Sequence, residues 1–144
     1  MSDVPAREGR LDEPSAGYPP VPPFPQFTNF ERRALEVIAS TFGAHADEFR
    51  QQILASRVTD RVNTVVGFYT HIDVDRSASG PLPITHKGAH FDVPGTRHGM
   101  WVVLWDDDGY LSTIEGVTYG VDDDMGGQDL VDLDFTGFQL PDVA

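Results

Sequence analysis

Hydrophobic residues change their spacing partway along the chain, and that change limits the folds open to it. Phe30, Ala34, Val37, Ile38 and Phe42 recur at the spacing of one helical face, and Phe49, Ile53 and Leu54 extend the pattern. From Val66 onward the period is two. Val66, Phe68, Ile72 and Val74 alternate with Gly67, Tyr69, His71 and Asp73, as in a strand with one buried face. Helical segments followed by strands predict an α+β fold: two N-terminal helices packed on a mainly antiparallel sheet of about four to five strands.

Local signals set the expected boundaries. Thr28 and Glu31 form a T-x-x-E capping box at the start of the first helix, and Gly43 is its natural stop. A second helix is expected from Ala46 or Asp47 to about Ser56. Further strands are expected at Ala89–Val93, at Met100–Trp105 (apolar on both faces, hence central), at Tyr110–Glu115 and within Leu130–Leu140. Asp106-Asp107-Asp108-Gly109 is read as the turn between two of them, because Asp-Gly suits positive φ. Seven of the 11 prolines fall in residues 1–26, five of them between Pro19 and Pro25. That stretch predicts an extended proline-rich arm, lying along its own domain or serving as a spacer. The chain therefore divides into an arm (1–26), an α+β domain (27–120) and an acidic C-terminal segment (121–144).

Charge and composition exclude several function classes. The formal net charge is −13, from 10 basic and 23 acidic residues. Residues 99–144 hold 11 acids and no base, so the last third carries most of the imbalance. Such a chain is unsuited to a polyphosphate backbone, whose binding depends on Lys and Arg, even if the arginines at 32, 33, 57 and 61 form a basic strip. No cysteine is present, which excludes disulfides and thiolate chemistry. No apolar run reaches the length of a membrane span and no signal peptide is visible, so a cytoplasmic location is expected. Gly-x-Ser-x-Gly, P-loop and Gly-x-Gly-x-x-Gly motifs are all missing, and the only lysine is Lys87. No cofactor is expected.

Three segments together carry a resemblance: Gly67-Phe-Tyr-Thr70, then Gly95-Thr-Arg-His-Gly-Met100, then Asp108-Gly-Tyr-Leu-Ser-Thr-Ile-Glu-Gly-Val-Thr-Tyr-Gly120. The chain resembles a family of small uncharacterised bacterial proteins with a Gly-Phe-Tyr-Thr strand and an Asp-Gly-Tyr-Leu…Glu-Gly…Tyr-Gly hairpin after two helices. The resemblance spans roughly residues 30 to 120. It implies the α+β fold and a bacterial origin, and it implies no activity, substrate or catalytic residue. The chain departs from the family in its proline-rich head and in Val121-Asp-Asp-Asp, which follows Tyr119-Gly120. Within the hairpin, Glu115 and Gly116 are read as the strand's end, where a carboxylate accepts backbone N–H groups.

Two sets of residues are candidates for function. His71 and Asp73 lie two apart on one strand, and His90 and Asp92 two apart on another. All four are expected to face away from the core. If the two strands are neighbours in register, they form a divalent-metal or acid–base set, with His86 and His98 in flanking loops. Without that adjacency they are the ordinary polar face of a half-buried sheet. Trp101 and Trp105 lie four apart on the central strand and point to one face, with Met100, Val102 and Leu104 on the other. With the acidic run Asp122, Asp123 and Asp124 they suit a docking surface for a basic protein. The expected function is a non-catalytic interaction module, immunity- or inhibitor-like. The alternative is a small metal-binding protein or hydrolase using the His/Asp pairs.

Overall fold

A computed structural model describes residues 20–119, 130, 131, 133–135 and 137–139. It is α+β, with a helical segment on one face of a six-stranded antiparallel sheet.

The first helix, α1 (Asn29–Ala39), begins as its sequence predicts. The Thr28 hydroxyl accepts from the Glu31 amide at 3.1 Å, and the Glu31 carboxylate accepts from the Thr28 amide at 2.7 Å. The expectation of two N-terminal helices is corrected: Asn29 to Leu54 is one helical segment. Ser40–His45 tightens into a 3-10 turn that leads directly into α2 (Ala46–Leu54). The Ser40 and Thr41 hydroxyls, each at 2.6 Å, take the Val37 and Ile38 carbonyls that the tightening frees. Gly43, at φ +58°, bends the segment without ending it.

The expectation of four to five strands is corrected to six among the described residues. These are β1 (Ser56–Asn63), β2 (Gly67–Val74), β3 (Gly88–Asp92), β4 (Met100–Asp107), β5 (Tyr110–Thr118) and β6 (Gly137–Gln139), in spatial order β1-β2-β5-β4-β3-β6. β1 was hidden by its composition. Ser-Arg-Val-Thr-Asp-Arg-Val-Asn offers two apolar residues, and a bulge between Val58 and Asp60 breaks the two-residue period. Among the described residues of the C-terminal run the strand is Gly137–Gln139, while Leu130 and Leu133 are buried in the core.

Core residues follow strand parity. Phe68, Ile72, Ile114, Met100, Val102, Leu104, Ala89 and Phe91 are buried under the helical segment. Phe30 of α1 sits edge-on to Phe68, Phe91 and Phe135, with centroids 5.7 to 6.3 Å apart. Gly116 lies among them because a Cβ there would stand 2.3 Å from the Phe68 ring and 2.7 Å from Met100 Sδ. The β4–β5 turn is Asp108-Gly109, both at positive φ (54° and 87°), which a two-residue hairpin of right-handed twist requires.

Polar side chains are buried there too. Arg61 of β1 is fully inside, so it adds nothing to a basic strip with the arginines at 32, 33 and 57. Its five N–H donors reach Glu31 Oε2 (2.8 Å), Glu31 Oε1 (2.7 Å), and the carbonyls of Val21 (2.9 Å), Pro23 (2.9 Å) and Gln26 (3.2 Å). The described part of the proline arm thus lies against the β1 edge. Val21 N–H donates to the Arg61 carbonyl at 2.6 Å, and Val58 N–H to the Pro25 carbonyl at 2.8 Å. An otherwise open sheet edge is thereby covered.

Candidate functional site

The sheet face opposite the helices carries the candidate residues. Trp101, Val103 and Trp105 alternate with the buried Met100, Val102 and Leu104, so both indoles point to this outer face as their spacing predicts. By the same parity His71, Asp73, His90 and Asp92 lie on it too. The described arm residues, 20–26, run along the β1 edge and leave the β4 indoles half-exposed.

The two His/Asp pairs are not brought together. β2 and β3 are separated by β5 and β4, which is three strand spacings or about 14 Å. His71 is in register with Thr113 and, through it, Trp105, whereas His90 is in register with Trp101. The adjacency on which the four-residue metal set depended is therefore missing. Each pair also has other neighbours. Asp73 meets Arg57 at 3.2 Å, and the His71 ring lies parallel to Tyr69 with centroids 6.3 Å apart. His90 Nε2 donates to the His98 carbonyl at 2.9 Å, and its ring is 5.6 Å from that of Tyr119. His86 stands edge-on to Trp105 at 5.0 Å. Among the described residues no group of three or more His, Asp or Glu is arranged to hold a metal. Hollows of about 440 and 540 Å³ lie beside Arg32 and Arg33 and beside Arg57 and Asp73, and no histidine lines either. Asp122, Asp123 and Asp124 lie outside the described residues.

The structure instead centres the face on Glu115. Its strand does not end there, as the motif reading expected, but runs on to Thr118, which puts Glu115 in mid-strand. Its cross-strand partners are Tyr69 on β2 and Val103 on β4, so Trp101 and Trp105 are its diagonal neighbours. The Trp105 indole N–H donates to Glu115 Oε1 at 2.9 Å, and Tyr69 stands directly across from the same carboxylate on β2. Burial and the Glu115 charge push the Tyr69 phenol up to about 12. Glu115, Tyr69 and both indoles are half-buried, so the cluster is packed yet reachable.

Neither Tyr69 nor Glu115 was singled out as a site residue from the sequence. Alternation contained the signal, because Glu115 has the parity of Thr113 and Val117 against the buried Ile114. Extending β5 by three residues would have revealed it. The Gly67–Thr70 and Asp108–Gly120 segments singled out in the sequence meet here, since Tyr69 belongs to the one and Glu115 to the other.

The phenol makes a testable contribution. A phenol whose pKa is raised on folding stabilises the fold fully below its unfolded value of about 10, and loses that contribution as pH rises through the folded value. Stability measured by urea midpoint is expected to fall between pH ~10 and the folded value of about 12. Tyr69→Phe is expected to flatten that part of the profile. A profile identical in the variant would show that Tyr69 titrates as a free phenol.

Compared with known proteins, the chain matches no family model, no curated protein and no solved structure.

Proposed function

We propose that this chain is a non-catalytic interaction module that binds a basic protein through the outer sheet face, in the manner of an immunity or inhibitor protein. The observation that carries this reading is the half-exposed pair of indoles, Trp101 and Trp105, flanking a carboxylate on a face that no described helix covers. Aromatic side chains with a polar handle supply large contact area at low entropic cost, as in protein interfaces. Asp60, Asp73, Asp92 and Glu115 lie on the same face, and the cation opposite Asp73, Arg57, is paired with it. A strongly acidic chain would speed encounter with a basic partner and lose affinity as salt rises.

The protein, immobilised and exposed to a native lysate at low salt, is expected to retain a basic protein that elutes as ionic strength is raised. The double variant Trp101→Ala, Trp105→Ala is expected to lose that protein. Retention unchanged by the two substitutions would show that binding occurs elsewhere on the chain. Retention indifferent to salt would remove the electrostatic half of the proposal.

A further inference from the structure

The geometry points to a receptor for one guanidinium group, an arginine side chain of the partner, at the Tyr69–Glu115–Trp105 cluster; this assignment rests on the interaction reading above and narrows it to a chemical class. The first argument is register. Eight sheet positions surround Glu115 on its own face, and none of them holds a lysine or arginine. Among the described residues, arginine ion pairs form at Glu36, Asp47, Asp73, Asp107, Asp108 and the buried Glu31, but not at Glu115. A carboxylate at the centre of a sheet face, without a cation of its own, is complementary to an incoming one.

The second argument is how that carboxylate is held. Its donor, the Trp105 indole N–H, is neutral, and so is the Tyr69 side chain that faces it across the strands. The indole fixes its orientation without cancelling its charge, and a carboxylate has lone pairs beyond the one it uses. The buried carboxylate of Glu31 behaves differently, since its charge is neutralised internally by Arg61.

The third argument selects guanidinium over ammonium. Trp101 and Trp105 flank Glu115 along β4, and Tyr69 faces it from β2, so planar aromatic surfaces border the carboxylate on two sides. A guanidinium is planar, weakly hydrated and able to stack on aromatic faces while donating in-plane to a carboxylate. An ammonium is a strongly hydrated point charge that gains less there. The cluster thus offers in-plane acceptors and stacking faces together.

The test uses the full chain labelled with nitrogen-15. It carries two tryptophans, so two indole N–H resonances appear, and Trp101→Phe assigns them. Titration with N-acetyl-argininamide is expected to move the Trp105 resonance saturably. N-acetyl-citrullinamide, neutral but nearly the same shape, is expected to bind about tenfold more weakly, and so is N-acetyl-lysinamide. Glu115→Gln, which keeps an acceptor for Trp105, is expected to abolish the difference between arginine and citrulline compounds. Because the comparison of ligands is made on the unaltered protein, the outcome does not depend on that variant folding. A silent Trp105 resonance, or equal responses to the arginine and citrulline compounds, would overturn the assignment. An equal response to the lysine compound would overturn the guanidinium class. An arginine response without any captured partner would sink the partner reading alone. A captured partner with a silent Trp105 would sink this assignment alone.

Discussion

Arg61→Met is expected to cost about 3–5 kcal/mol of folding stability, because it leaves the Glu31 carboxylate buried without its counter-charge. Both side chains are almost wholly inside, at 0% and 2% exposure, so water cannot replace the lost partner without opening the structure. All four acceptor sites of Glu31 are used: two by Arg61, one by the Thr28 amide and one by the Thr70 hydroxyl. The arginine's remaining donors hold the carbonyls of Val21, Pro23 and Gln26. One residue therefore joins the helix cap, the sheet and the arm. A loss of this size is a large part of the total stability of an ordinary small domain, roughly 5–15 kcal/mol.

Charge burial can be separated from lost packing. The double variant Glu31→Gln, Arg61→Met removes both charges, and is expected to be more stable than Arg61→Met alone, since no unpaired charge remains. Urea unfolding of the wild type, both single variants and the double variant measures this coupling. If the double variant is no more stable than Arg61→Met, packing and the arm contacts dominate and the charge argument fails. Hydrogen exchange adds a local reading. The Val58 amide, bonded to the Pro25 carbonyl at 2.8 Å, is expected to exchange faster in Arg61→Met as the arm loosens from the β1 edge.

The same residues show how much of the molecule was legible beforehand. Thr28 and Glu31 announce a helix start, because a capping box is a local pattern. The second role of Glu31 depends on Arg61, 30 positions away, and nothing local distinguishes that arginine from its exposed relatives at 32 and 33. Trp101 and Trp105 were placed on one face correctly, because parity along a strand is also local. The proximity of His71 and His90 was not, because strand order depends on how β4 and β5 insert between β2 and β3. β1 escaped notice because a buried arginine and a bulge erased its alternation. Glu115 was visible as part of a motif, but its central position became apparent only with the register of three strands.

Gln52 is the second position where a large effect is expected, and it had no sequence signal at all. It lies on α2 and is fully buried. Its amide nitrogen donates to the carbonyls of Gly80 (2.7 Å) and Gly109 (2.8 Å), and its oxygen accepts from the Leu111 amide at 3.0 Å. Gly109 lies in the β4–β5 turn and Leu111 at the start of β5, so one side chain from the helical layer ties the turn to the strand that leaves it. Gln52→Leu is nearly isosteric and leaves the buried Leu111 amide without its partner, while the Gly109 carbonyl keeps the Leu82 amide at 2.7 Å and the exposed Gly80 carbonyl turns to water. An unsatisfied buried group costs about 1–3 kcal/mol, so a loss of about 2 kcal/mol is expected. Gln52→Glu tests direction, because it keeps the acceptor for Leu111 and loses the donors to both carbonyls. The Leu111 amide should therefore exchange rapidly in Gln52→Leu and remain protected in Gln52→Glu, even where both variants are destabilised. Equal protection in wild type and Gln52→Leu would mean that the tip holds itself through the Asp108-Gly109 turn and the Asp106 carboxylate, which accepts from the Gly109 amide at 2.7 Å. The consequence reaches the outer face. Trp105 and Glu115 lie on the two arms of this hairpin, so a helix residue on the far side of the sheet anchors the turn that joins them.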